Sequence, residues 1–152
     1  MSGPHERLAE LGLSVPEVVP PLAAYVPARR SGAYVHTSGQ LPMREGSMVA
    51  VGKVGAEVSA EQATDCARQA ALNAIAALAS QVELDDVVGV VKVVVYVASS
   101  PDFTSQPAVA NGASELLGQV FGEAGRHARS AVGVMALPLD APVEVEIVVE
   151  VA

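Results

Sequence analysis

The chain has 152 residues, a formal charge of −8, 51% apolar and only 3% aromatic side chains. That length suits one domain with a core of Val, Leu and Ala, and the acidic balance excludes the basic surface that nucleic-acid binding requires. The one cysteine, Cys66, excludes an internal disulfide and fits a reducing compartment.

The opening "MSGPHERLAELG" carries charges and glycine where a secretory leader needs an apolar stretch. The longest apolar runs are Val-rich and well short of a membrane span. A cytoplasmic protein without a membrane partner is expected. "PHERLAELGL" has helical spacing at Leu8, Ala9 and Leu11, with Gly12 as a stop. Pro16, Pro20 and Pro21 then exclude regular structure, so an extended strap is expected from Ser14 to Leu22. "AYVPARRSGAYVHTSGQ" reads as two strands with a turn at Ser31-Gly32, and "SMVAVGKVG" as a short third strand closed by glycines.

"SAEQATDCARQAALNAIAALASQV" is a helix. Ser59 and Gln62 have capping-box spacing. Ala63, Ala67, Ala70, Ala71, Ala74, Leu78 and Val82 make an apolar stripe, with Glu61, Asp65, Arg68, Gln69 and Asn73 away from it. "DDVVGVVKVVVYVAS" is a strand by length and β-branching, apolar on both parities. Val87, Val91, Val93, Val95 and Val97 would share one face, and Val88, Val90, Val94 and Tyr96 the other. "AVANGASELLGQVFGEAG" is a second amphipathic helix with Val109, Ala113, Leu116, Val120 and Phe121 inward. "RSAVGVMALP" and "PVEVEIVVEVA" are two final strands. A turn at "PLDAP" would join them as an antiparallel hairpin and bring Arg129 nearer Val151 than Glu144. In the last strand Val143, Val145, Ile147, Val149 and Val151 alternate with Glu144, Glu146, Val148 and Glu150. The resulting order, β-β-β-α-β-α-β-β, is an α+β two-layer sandwich with both helices on one face of the sheet. That architecture covers one sheet face, so the second apolar face of the Val-rich strand predicts a closed homo-oligomer.

Arg129 stands out chemically. It opens a run of small apolar residues, and a guanidinium is costly to bury unpaired. Either it is a solvated strand-end charge or something anionic meets it. Glu144 is either the wet side of its strand or a working carboxylate. His5, His36 and His127 have no metal-ligand spacing, so no metal is expected. Cys66 sits among alanines as a small buried residue. Ser38 lacks the flanking pattern of a nucleophile elbow, and Gly39 beside it permits close backbone approach.

The spaced set "YVPA", "TSGQLP", Asn111, "ARSAVGVMALP" and "VEVE" resembles the Rid (YjgF-like) family of reactive enamine/imine deaminases, from about Leu22 to Ala152. The resemblance implies a chorismate-mutase-like fold over residues 23–152, preceded by a helix and strap at 1–22, in a single domain. It implies a homotrimer with a ligand cavity at each subunit interface. By position, Arg129 resembles the family arginine that grips a substrate carboxylate, and Glu144 the glutamate that activates water. Tyr25, Ser38, Gly39 and Asn111 match positions around the cavity, and Ala131 stands where a cysteine is common. The implied activity is hydrolysis of 2-imino acids of the 2-aminoacrylate type to 2-keto acids and ammonia, without cofactor. The alternative is a trimeric binder of small carboxylate metabolites without turnover. The nuclease activity of some relatives fits poorly with the −8 charge.

Overall fold

In a computed structural model of the chain, which describes residues 2–152, the strongest local signals form as the sequence expects. Met1, the first residue of the expected N-terminal segment, lies outside them. Helix α1 (Pro4–Glu10) buries Leu8 in the main core. Residues 13–21 run without regular structure, as three prolines require. Strands β1 (Ala28–Ser31) and β2 (Tyr34–Thr37) form a hairpin whose turn is Gly32-Ala33, one residue later than expected, with Gly32 at φ 60°. Helix α2 (Ala60–Ala79) starts at a full capping box: Ser59 Oγ accepts from the Gln62 N–H, and Gln62 Oε1 accepts from the Ser59 N–H.

The expected third strand is displaced. β3 (Met43–Arg44) and β4 (Ser47–Met48) pair only with each other, around a turn with both Glu45 and Gly46 at positive φ. This ribbon covers part of α2 and explains two polar residues there. Gln69 and Asn73 are not solvated but buried: Gln69 Oε1 accepts from Arg44 Nε, and Asn73 Nδ2 donates to the carbonyls of Leu41 and Met43.

Strand β5 (Val87–Ala98), helix α3 (Gln106–Phe121), β6 (Ala128–Val134) and β7 (Val143–Val151) complete a five-stranded mixed sheet, ordered β1-β2-β7-β5-β6. The helices pack on one face of it, the α+β architecture expected. The expected β6–β7 hairpin does not form. The α3 crossover returns β6 parallel to β5, and β7 pairs antiparallel along the other edge of β5. Strand β6 is therefore an edge strand and not a buried one, with Val132 41% exposed.

β5 carries a second correction. Its register against β7 jumps from Val87↔Val151 to Gly89↔Glu150, and again from Val90↔Val149 to Lys92↔Val148. Val88 and Val91 are the extra residues, and each bulge shifts the alternation. Val90 thus turns into the core and Val91 outward, the reverse of strict parity. The outward face still carries apolar groups: Val88 is 54% exposed, Val91 39% and Tyr34 44%. Val143, Val145, Ile147, Val149 and Val151 all face the core, as alternation predicts.

Candidate functional site

The expected site residues fall into two groups, on opposite faces of the sheet. Arg129 pairs in register with Val93, which is fully buried against the helices, so Arg129 projects to the helix side of the edge strand. Ala131, paired with Val95, lies on that side too and packs against the core. Glu144 pairs with Tyr96 on the other face, two strands away. Strand spacing and rise alone separate the two by more than about 10 Å within one chain.

The Arg129 group is built on α3. Arg129 Nη1 donates to Asn111 Oδ1 (2.9 Å) and Ser114 Oγ (3.2 Å), and Nη2 donates to the Pro107 carbonyl (3.3 Å). Asn111 and Ser114 lie one helical turn apart and so share a face. All three acceptors are neutral. Arg126 and Glu123 form an exposed ion pair, but no carboxylate meets Arg129 among the described residues. A guanidinium has five N–H donors. Three are used here, which leaves Nε–H and one on Nη2. These two nitrogens share one edge of the guanidinium, spaced for the two oxygens of a carboxylate.

The Glu144 group is built where the strap, the β2 exit and β7 meet. The Gln40 and Val145 backbones exchange hydrogen bonds of 2.8 and 3.0 Å, which seats the Ser38–Gln40 segment beside β7. Gly39 lies directly over Glu144: an added Cβ would stand 2.7 Å from the Glu144 Cδ. Ser38 is not poised as a nucleophile. Its hydroxyl donates to the Val26 carbonyl at 2.5 Å and ties down the chain after Tyr25. Tyr25, 47% exposed, accepts the Leu22 N–H on its phenolic oxygen. Tyr25, Gly39, Val19, Pro20 and Leu22 are among the residues lining an apolar cavity of about 40 Å³ under the strap.

Charge sets the chemistry of this group. Burial, and then the neighbouring Glu146 charge, hold the Glu144 carboxyl above its ordinary range. Tyr96 donates its hydroxyl to Glu146 Oε1 at 2.6 Å, and that bond leads the effects pushing its phenol up to about 12. Cys66 is fully buried, and burial chiefly pushes its thiol up to about 11, away from thiolate chemistry. Among the described residues no three His, Cys, Asp or Glu side chains converge on a metal-sized site, and no helix is long and apolar enough to cross a membrane.

Residues 5–151 match the family described as "YjgF/chorismate_mutase-like, putative endoribonuclease". The chain belongs to the YjgF family. Protein TCP17 of Trypanosoma cruzi is 44% identical over 146 residues, covering 95% of this chain and 91% of the relative. Among solved structures of similar proteins, Atu1372 of Agrobacterium tumefaciens, described as of unknown function, is 41% identical, with 97% and 91% of the two chains covered and a TM-score of 0.89. A protein of Shewanella oneidensis MR-1, described as a "putative endoribonuclease", is 32% identical over 99% of this chain and 100% of its own, at a TM-score of 0.95.

Four residues beside these two groups escape the reading from sequence: Ser114 and His127, hydrogen-bonded to each other next to Arg129, and Glu146 and Tyr96 next to Glu144. Ser114 was legible in principle, three residues after Asn111 on a helix. Glu146 was legible as the next outward residue after Glu144. His127 and Tyr96 carry no such mark, because their partners are distant in sequence or supplied by a turn.

Proposed function

We propose that this YjgF-family protein hydrolyses 2-imino acids to 2-keto acids and ammonia, in a site shared between two copies of the chain. The observation that carries the reading is Arg129: its guanidinium meets only neutral acceptors and keeps two donors unspent, Nε–H and one on Nη2, on the nitrogens of one edge. That edge fits a carboxylate. Because Glu144 lies on the opposite face of the same chain, the water-activating carboxylate belongs to the neighbouring subunit of a homotrimer. Tyr25, Ser38 and Gly39 come with that Glu144, and Asn111 and Ala131 with Arg129.

The chemistry asks little of the protein. Arg129 holds the carboxylate and fixes the imine carbon. Glu144 takes a proton from water as the oxygen attacks that carbon, passes it to the imine nitrogen, and in the next step carries the carbinolamine hydroxyl proton to the departing amine. The tetrahedral carbinolamine then collapses, the C–N bond breaks, and ammonia leaves. A carboxylate with a raised proton affinity is a better base for the first step. No cofactor is called for, since the imine is already electrophilic.

The test is ammonia release from 2-iminopropanoate generated in situ by an amino-acid oxidase. The wild-type chain should accelerate it. Glu144→Gln should remove most of the turnover, by about 10²-fold or more, while keeping fold and assembly. Arg129→Lys should cost on the order of 10²-fold, because lysine keeps the charge but not the fork. Binding of a 2-keto acid with no ammonia release would mark the chain as a carboxylate binder. Equal rates in the wild type and Arg129→Lys would remove the basis of the reading.

A further inference from the structure

Ser114 and His127 form a chain of hydrogen bonds that ends on Arg129. His127 Nδ1 lies 2.7 Å from the Gly125 carbonyl, and Nε2 lies 2.9 Å from Ser114 Oγ. Arg129 Nη1 lies 3.2 Å from the same Ser114 Oγ. The direction of each bond follows from the partners. A carbonyl can only accept, so Nδ1 carries the ring proton. In the neutral ring Nε2 then accepts, so the Ser114 hydroxyl donates to it. The Ser114 oxygen is left to accept from Arg129, which can only donate. Every group is used once in a consistent sense, and neighbouring bonds of this kind strengthen one another.

The relay also has a fixed anchor. Gly125 is buried against the backbone of α3, where an added Cβ would overlap the Leu117 carbonyl and stand 3.0 Å from the Gly118 Cα. Its carbonyl therefore cannot drift. Without the relay, Arg129 would hang from Asn111, which is exposed, and from a 3.3 Å contact to the Pro107 carbonyl.

We propose that Ser114 and His127 are positioning residues for Arg129. Together they lock the rotation of the guanidinium so that its Nε and Nη2 edge faces outward as a preformed fork for the substrate carboxylate. This rests on the imine-hydrolase reading for its substrate, but not for its geometry. A relay variant keeps the guanidinium fork and its charge and loses only the preset aim, which weakens capture of the carboxylate before the reaction, so the loss falls on KM and not on kcat.

The experiment uses the full chain as wild type, Ser114→Ala, Ser114→Thr and His127→Phe, with Arg126→Gln as a control outside the relay. With in-situ 2-iminopropanoate, Ser114→Ala and His127→Phe should raise KM by about five- to tenfold with kcat within about twofold. Ser114→Thr, which keeps the hydroxyl, should restore KM, and Arg126→Gln should leave both unchanged. A second readout needs no turnover: phenylglyoxal labelling of Arg129, followed by peptide mass with Arg126 as the internal reference. A released guanidinium should label several-fold faster in Ser114→Ala and His127→Phe. If the wild type releases no ammonia, the imine reading fails and the labelling rates still decide the relay. Should Ser114→Ala not fold, His127→Phe and Ser114→Thr carry the same comparison. Wild-type KM and wild-type labelling in the relay variants would overturn the proposal.

Discussion

Two carboxylates one strand-repeat apart sit in different surroundings. Glu144 is half-buried under Gly39, while Glu146 is pinned by the Tyr96 hydroxyl. Both project from the outward face of β7, which sets the Glu146 charge beside the Glu144 carboxyl. The ionised Glu146 raises the proton affinity of Glu144. A base must be deprotonated to act, so if Glu144 serves as proposed, the acid limb of the activity profile should track its carboxyl. Glu146→Gln removes the charge while its amide oxygen can still accept from Tyr96. The limb should then move to lower pH. Measuring kcat/KM against pH in wild type and Glu146→Gln checks this, and a limb that stays put or moves upward would show that the two carboxyls are uncoupled. Tyr96 remains a donor throughout that range, since its phenol is held up to about 12.

Elements are placed by how closely their backbones can meet. Helices α2 and α3 cross at Gly112, where an added Cβ would overlap the Thr64 carbonyl oxygen and stand 3.0 Å from its carbon. Neither atom belongs to a side chain that can move aside. Gly112→Ala should therefore cost about 1–3 kcal/mol by overpacking. Gly118 lies on the same helix with nothing within 4 Å of an added Cβ. Gly118→Ala should instead gain about 0.5–1 kcal/mol, as alanine replaces glycine in a helix interior. Thermal melting of the two variants beside wild type decides the matter, and shifts of the same sign would contradict the packing account. The crossing also matters to the site, because α3 carries Asn111 and Ser114 to Arg129.

At the scale of the molecule, the two proposed half-sites point away from each other. Arg129 belongs to the helix side of the edge strand and Glu144 to the open face, which also exposes Val88, Val91 and Val132. A cyclic assembly that covers this face can bring one chain's Arg129 to the next chain's Glu144. Mixed assemblies test that geometry directly. Arg129→Lys and Glu144→Gln chains are each expected to be nearly inactive alone. Unfolded together in equal amounts and refolded, they should regain about a quarter of wild-type activity. In a cyclic homo-oligomer each site takes one residue from each of two neighbours, and both are intact with probability of about one half times one half. No recovery, with mixed assembly verified by native mass, would place the site within one chain. Light scattering that shows a stable monomer at micromolar concentration would remove the shared site altogether.

Much of this architecture was legible in the residue pattern, because local physics decides it. The capping box at Ser59 and Gln62, the alanine stripe of α2, the proline strap and the alternation of β7 depend on neighbours a few positions apart. So did the suspicion attached to Arg129, since an unpaired guanidinium in an apolar run is anomalous wherever it folds. The family motifs singled out Tyr25, Gly39, Asn111 and Glu144 by type and spacing. What periodicity could not supply was everything set by pairing between distant segments. The turn at "PLDAP" is compatible with a hairpin, yet β5 takes both neighbours, since the α3 crossover makes β6 its parallel partner. The two bulges of β5 exchange Val90 and Val91 with no mark in a run of valines. Gln69 and Asn73 read as wet until the β3–β4 ribbon covers them and offers carbonyls. The opposed faces of Arg129 and Glu144, and the Gly125–His127–Ser114 relay, exist only once strand order and helix crossing are set. Side-chain partners across more than a helical turn are chosen by tertiary packing, which alternation and propensity do not encode.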